Sequence, residues 1–233
     1  DARGEGDRVA SAFGQRLIAL RDRGKQTSEG IDAAIQTALA SQKHPVILAD
    51  AADNPGGGMA GDNMAVVEAM IRHGLAPACA GPIWDPQAAQ MCFEAGLGAE
   101  ISLRIGGKAG PPSGRPLDVE GKVVGLKRSA TQRLGAFDTP LGDTAAFASG
   151  GVTIVVASLR DQAYHPQLFS DLGVDPARQR FILLKSSQQF RPGFEPISSE
   201  IVHVRRDLVP NRVYKKRPRP MWPFETDAKA GAA

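Results

Sequence analysis

Short apolar runs alternate with helical patterns over residues 45–107, and this alternation restricts the fold more than any other feature of the sequence. Three runs are typical of buried strands: residues 45–50, 76–83 and 99–107. Between them, residues 63–74 and 85–96 have the apolar spacing of helices. Strand, helix, strand, helix and strand at this spacing predict a parallel sheet with right-handed crossovers.

Capping residues support the positions of these two helices. Asp62 is placed to cap the first helix, and Gly74 is placed to end it in a left-handed turn. Asp85 is placed to cap the second helix, with Pro86 at its first position.

The rest of the chain extends the same class of fold. Residues 7–23 and 28–41 predict amphipathic helices whose apolar faces need a partner. A Gly- and Pro-rich loop follows residue 106, and the pattern then predicts strands at 117–126, 150–160 and 180–187 and a short helix at 165–173. The last twenty residues, rich in Pro, Lys and Arg, predict an extended strap on the surface.

We therefore predict an α/β fold, with a mainly parallel or mixed sheet flanked by helices in three layers. It forms a single compact domain with an extended C-terminal strap. The predicted divisions are a helical inter-domain connection over residues 1–41, the α/β domain over 42–210 and a Pro-rich basic tail over 211–233.

The charge balance and the cysteine count exclude several classes of protein. The chain has 28 Lys and Arg against 25 Asp and Glu, and only 6% of its residues are aromatic. A nucleic-acid surface needs clustered basic residues with aromatics among them, so we expect no nucleic-acid partner. No apolar run approaches the length of a membrane span, and the N-terminus has no signal-peptide pattern. Two cysteines without a paired motif predict a cytoplasmic protein without disulfides.

Metal ligands are not visible in the sequence. The four histidines are scattered, and none stands at ligand spacing from another histidine or beside an acid. We predict no metal site in this chain.

The first candidate site is the stretch ADAADNPGGGMAGD, which follows the strand at residues 45–50. Its candidate residues are Asp53, Asn54, Gly56, Gly57, Gly58 and Asp62. Three successive glycines can turn their N–H groups towards one acceptor, and the following helix adds a partial positive charge, so the loop suits a carboxylate or another oxyanion. The alternative is that Asp53 and Asn54 cap a tight turn and that Asp62 caps the helix.

The same stretch matches the dinucleotide fingerprint at Gly56, Gly58 and Gly61, with Asp85 after the next strand. In a working fingerprint the first glycine follows the strand at once, whereas residues 51–55 intervene here. Asp53 would also repel a pyrophosphate. A dinucleotide enzyme is therefore the least favoured alternative.

The second candidate site is LLKSSQQFRPGFEP, which follows the strand at residues 180–187. Lys185 and Ser186 leave this strand at the carboxyl edge of the sheet, where open α/β folds bind ligands. Lys185 could hold an anion, and Arg191 could clamp a carboxylate. Alternatively, Lys185 is solvated and Arg191 forms a surface pair with Glu195. The sequence leaves both interpretations open.

The chain resembles the C-terminal domain of the MlrC (microcystinase C) family of metallopeptidases. The resemblance extends over nearly the whole chain in one order of motifs, at residues 45–63, 84–108, 114–124, 150–176, 183–197 and 217–224. It implies hydrolysis of peptide bonds, in linearised cyclic peptides above all, by a zinc-bound water and an acidic base. The resemblance also implies that the zinc ligands and the catalytic acid lie in an N-terminal domain that this chain does not contain.

One position departs from the family pattern. Gln189 stands where family members often have a histidine, so an acid–base role gives way to hydrogen bonding with substrate or with the partner domain. We predict that the glycine stretch and residues 185–191 form one wall of a cleft that faces the metal-bearing domain. The substrate expected there is a peptide or a small amide, and a homo-oligomer is compatible with this arrangement.

A binding module without chemistry is the main alternative. In that hypothesis the glycine stretch captures a small anion, and no second domain is needed.

Overall fold

A computed structural model describes residues 3–20, 23 and 27–205. Its helices are α1 (Arg3–Leu20), α2 (Ile31–Ala40), α3 (Ala65–Arg72), α4 (Pro86–Ala95), α5 (Gln167–Ser170) and α6 (Arg191–Phe194). Its strands are β1 (Glu29–Gly30), β2 (Val46–Ala49), β3 (Ala78–Trp84), β4 (Glu100–Ile105), β5 (Leu117–Leu134), β6 (Phe137–Ser149), β7 (Val152–Ala157), β8 (Phe181–Leu184) and β9 (Glu200–Arg205).

The strands of the described residues form one sheet in the order β1-β9-β2-β8-β3-β7-β6-β5-β4. The half from β1 to β7 is parallel, and the half from β7 to β4 is antiparallel. Every residue of β2 and β8 is buried, because interior parallel strands are covered on both faces.

Two apolar clusters, one on each face of the sheet, make the three layers. One face packs against α2, α3 and α4, and its core includes Ile35, Met70 and Phe147. The other face packs against α5 and α6, and its core includes Phe169 and Phe194. The predicted α/β class is confirmed, and the sheet is mixed.

The position of β4 corrects the sequence-based topology. We predicted it as a third parallel strand, but it lies at the far edge and pairs antiparallel with β5. Residues 106–116 contain no α-helix to carry the chain back across the sheet, so β5 folds directly against β4. The long hairpin of β5 and β6 then fills the space between β4 and β7.

The predicted caps of α3 and α4 have different outcomes. Asp85 accepts a hydrogen bond from the Ala88 N–H at 3.1 Å, and Gly74 adopts a left-handed φ of 68°, as expected. Asp62 does not cap α3, because the helix begins at Ala65 and the Asn63 side chain accepts the Ala65 N–H at 2.9 Å.

The N-terminal helices differ from each other in burial. Ile35 of α2 is fully buried in the core of the sheet, whereas Phe13 and Leu17 of α1 are 67% and 69% exposed. The division at residues 1–41, 42–210 and 211–233 remains a prediction. The strap lies outside the described residues. None of the described helices combines the length and the apolar character that a membrane span requires.

Candidate functional site

The carboxyl ends of β2, β3 and β8 lie side by side, because these strands are parallel neighbours around β8. The loops that follow them include both predicted sites, and we call this side of the sheet the carboxyl edge. The outer part of the β5–β6 hairpin, residues 128–143, extends past the end of β7, since Thr144 pairs with Ala157 at the last position of that strand. This extension, which we call the arm, therefore projects from the carboxyl edge as well.

Lys185 forms the centre of a buried charge cluster with Asp50 and Asp53. Its Nζ lies 2.8 Å from the Asp50 carboxylate and 2.9 Å from that of Asp53, and it donates to the Asn63 carbonyl at 2.5 Å. The three side chains are at most 1% exposed. Away from water, opposite charges attract strongly, and each compensates the desolvation of the other.

This geometry corrects both sequence-based interpretations of Lys185. The side chain is neither solvated nor directed at an external anion, because it neutralises carboxylates of its own chain. The cluster joins the end of β8 to the loop after β2, and so it holds the two predicted sites against each other.

Asp53 also organises the glycine stretch. Its carboxylate accepts the Gly61 N–H at 3.1 Å and the Asn63 N–H at 2.8 Å. Gly61 has a φ of 76°, a conformation that favours glycine and that turns its N–H towards Asp53. The acid therefore shapes the loop from inside.

The three successive glycines do not form the predicted anion nest. The N–H of Gly56 donates to the Asn54 side chain at 3.0 Å, that of Gly57 to the Asn54 carbonyl and that of Gly58 to the Pro55 carbonyl, both at 2.9 Å. These donors close a tight turn, the alternative considered for Asn54. The same bonds remove the donors that a pyrophosphate or a small anion would need.

The glycine turn exposes its backbone to solvent, because glycines have no side chains to cover it. Residues 56–58 are exposed, and the Asn54 amide beneath them donates to the Ser187 hydroxyl at 3.0 Å, beyond the end of β8. A second molecule could approach this backbone closely.

The Asp62 side chain contacts the loop after β4 and not the helix that it was expected to cap. Its Oδ2 accepts the N–H groups of Lys108 and Ala109 at 2.8 and 3.0 Å, whereas Oδ1 is buried without a hydrogen-bond partner among the described residues. Asp85, buried near it, accepts two bonds from the Lys108 ammonium at 2.8 and 3.0 Å. Both acids therefore anchor the connection between β4 and β5.

Ser186 and the arm meet through two glutamines. The Ser186 hydroxyl donates to the Gln162 side chain at 3.3 Å. Gln132 of the arm is fully buried, donates to the Gln162 carbonyl at 2.7 Å and accepts the Tyr164 N–H at 2.9 Å. Gly56 lies so close to Gln162 that a Cβ would come within 2.5 Å of its side-chain nitrogen. The middle of the arm therefore lies near the glycine turn.

Gln189 and Arg191 lie on the outside of this assembly. Gln189 is exposed, and its side chain accepts a weak 3.4 Å bond from Ser187. Arg191 pairs with Glu195, the surface pair that the sequence offered as its alternative.

The two histidines at this edge, His165 and His203, have lowered pKa values. The main cause of the lower pKa is burial of each ring, and the positive charge of a nearby arginine lowers it further. A lowered pKa favours the neutral form of both rings.

The donor set does not fit a zinc ion. Over the described ranges, no three His, Cys, Asp or Glu side chains come together in an arrangement that could hold a metal. The carboxylates of Asp53 and Asp85 already accept N–H and ammonium donors.

The two cysteines are core residues. Burial raises the pKa of Cys79, and burial together with the Asp85 carboxylate raises that of Cys92 to about 11. We expect DTNB to label neither thiol in the folded protein at about pH 8, because the thiolate is the nucleophile. The released thionitrobenzoate measures the reaction, and both thiols should react in urea. Rapid labelling of either thiol in the native protein would contradict this assignment.

Two residues of the site, Asp50 and Gln132, were missed by the sequence analysis. Asp50 and Lys185 each directly follow the end of a strand, and the pairing of β2 with β8 is what brings them together. No sequence pattern marks Gln132 as a site residue, because its hydrogen-bond partners lie about thirty residues away in the chain.

Three comparisons with known proteins all match this chain to the MlrC C-terminus or to metallopeptidase-related proteins. A family model described as the MlrC C-terminus matches residues 48–215. Microcystinase C from a Sphingomonas species is 47% identical over 220 residues, which are 93% of this chain and 43% of that protein. The crystal structure of a suspected metallopeptidase from Mesorhizobium sp. BNC1 superimposes with a TM-score of 0.75 at 24% identity, over 89% of this chain and 43% of that one. That structural likeness supports the fold alone. The chain spans less than half the length of either relative.

Proposed function

The chain belongs to the MlrC C-terminus family, and from this premise we propose that it is the substrate-cleft half of a zinc-dependent peptidase or amidohydrolase. The metal and the catalytic acid would belong to an N-terminal domain that corresponds to the unmatched part of the relatives. The name of the Sphingomonas relative makes a peptide related to microcystin the first substrate to test.

The observation that carries this proposal is the construction of the carboxyl edge. Buried charged groups hold its loops from inside, whereas exposed backbone at residues 56–58 forms the outer surface. A surface that is rigid before binding loses little entropy when an extended peptide lies along it. Glycines at that surface leave room for the backbone of the peptide.

The arm and the segment after β8 complete the wall of the cleft. Gln189 is exposed beside Ser187 and can hydrogen-bond a substrate amide. Arg191 can exchange its pair with Glu195 for a substrate carboxylate, since both partners are partly exposed. At the tip of the arm, Phe137 is 75% exposed, and it offers an apolar contact to a substrate or to the metal-bearing domain.

We test this role with a chimera in which the chain replaces the matching segment of Microcystinase C. We expect the chimera to bind zinc and to hydrolyse linearised microcystin, and the chain alone to do neither. Metal content is measured by mass spectrometry and hydrolysis by chromatography. Hydrolysis by the chain alone, or a folded chimera that holds zinc without hydrolysing the peptide, would refute the proposal.

The Gly57→Val variant of the chimera tests whether the glycine turn contacts the peptide without changing the stability of the fold. A Cβ at Gly57 meets one atom within 4 Å, the Asn54 nitrogen at 3.9 Å, so we expect an unchanged melting temperature. The valine would block close approach of the peptide, and kcat/KM should fall at least about tenfold. Gln42→Val, an exposed change at the opposite edge before β2, is the matched control. Equal kcat/KM for the two variants would remove the glycine turn from the cleft.

A further inference from the structure

Among the placed residues, β4 lies at one end of the sheet and has one unpaired side. Within the described ranges it pairs with β5 alone. Val123 donates its N–H to the Ala99 carbonyl just before β4 begins. By the alternation of an antiparallel ladder, residues 100, 102 and 104 therefore direct their N–H and C=O groups outward. An open row of this kind is a template for another strand.

The order of side chains along β4 is complementary to itself. When two copies of β4 run antiparallel with Ser102 facing Ser102, Glu100 of each copy lies opposite Arg104 of the other. Ile101 then lies opposite Leu103, apolar against apolar. Opposite charges and apolar pairs in these positions stabilise a sheet.

Other registers lose this match. A shift of one residue would set apolar side chains of one copy against charged side chains of the other. A shift of two residues would set Arg104 opposite Ser102 and remove both ion pairs. Arg104 is held in place by two 2.7 Å bonds to Asp118, and its side chain is still 66% exposed.

Apolar side chains of α4 and its following turn border the open strand. Met91 and Leu97 are 46% and 68% exposed. Met91 lines a groove of about 770 Å³ together with Ser102, Leu103 and Val119. In a symmetric pair the two copies of α4 would flank the joined strands and cover these side chains from water.

We propose that this chain forms a two-fold symmetric dimer in which β4 pairs antiparallel with β4 of a second copy. The interface is isologous, with Ser102 on the symmetry axis. Its charges select the partner and the register, and its backbone bonds join the two sheets into one.

The first test compares Ser102→Pro with Ser102→Ala in the full chain. Proline removes the outward N–H of residue 102 and leaves the ladder with β5 intact, as proline is tolerated on strand edges. Sedimentation velocity from about 1 to 200 µM should show a dimer for the parent chain and for Ser102→Ala. For Ser102→Pro, the Kd of the dimer should be at least about tenfold higher. A parent chain that stays monomeric, or equal dimerisation of the two variants, would overturn the proposal.

A charge exchange tests the register without relying on proline. Glu100→Arg alone sets arginine against arginine, and Arg104→Glu alone sets glutamate against glutamate. Each variant should therefore dimerise less than the parent chain, whereas an equal mixture should form the heterodimer. No preference for the heterodimer would exclude this register. Slow amide exchange of β4 in a monomeric parent chain would show instead that another segment of the chain covers the strand.

Discussion

The Lys185→Met variant is expected to lose about 3–5 kcal/mol of unfolding free energy, because it leaves the buried carboxylates of Asp50 and Asp53 without their shared cation. Methionine matches the length of the lysine stem but donates no hydrogen bond. The Asn63 carbonyl would lose its 2.5 Å donor as well. Urea unfolding followed by circular dichroism measures the change.

Lys43→Met is the matched control, since Lys43 is exposed before β2. Surface substitutions of this kind change stability by about 0.5 kcal/mol or less. If the two variants were equally stable, the buried charge cluster would have no structural role. We also expect the loss at Lys185 to loosen the loop after β2, visible as faster amide exchange at Gly61 and Asn63.

The second large effect is expected at Gly106. A Cβ added there would lie 2.1 Å from the Asp62 carbonyl oxygen and 2.7 Å from Met64, at a φ of 64°. The Gly106 N–H also donates to Asp85 at 2.8 Å, so the loop cannot move aside without breaking that bond. Gly106→Ala should therefore cost about 3 kcal/mol or more, from overpacking together with left-handed strain.

Gly98→Ala separates these two causes. Gly98 has a φ of 88°, and an added Cβ would meet nothing within 4 Å. This control carries the strain of the left-handed backbone alone, about 1 kcal/mol. Thermal unfolding of both variants measures the loss of unfolding free energy. An equal loss for the two variants would show that the structure relaxes around the Cβ at residue 106 and removes the close contact with Asp62 at no cost in stability.

Much of the fold follows from apolar periodicity. Six elements were predicted close to where they lie: β2, β3, β7, β8, α3 and α4. Their apolar residues recur at the spacing of a buried strand or helix, so the sequence alone indicates them. The strand β6 was missed. Its pairing with β5 shifts register where Ala130 faces Gly142 of β6, which has a left-handed φ of 71°, and such bulges interrupt the period of two.

The sequence predicted the edge of the sheet at which the candidate residues lie, but not their contacts. Lys185 and Asp53 follow strands, so their meeting at the carboxyl edge could be expected from a parallel sheet. Their burial could not, because it depends on how loops from β2, β3 and β8 fold over one another. The same holds for Asp62, which resembles a helix cap in sequence and instead receives N–H donors from residues 108 and 109.

The sequence by itself determined the α/β class, the membership in the MlrC C-terminus family and the edge of the sheet where polar residues gather. Those properties depend on local periodicity and on the order of motifs along the chain. Only the tertiary structure decided which polar groups face inward and which face solvent. The reason is physical: a buried carboxylate is stable where a cation or an N–H from a distant segment reaches it, and only long-range strand pairing brings that partner within hydrogen-bonding distance.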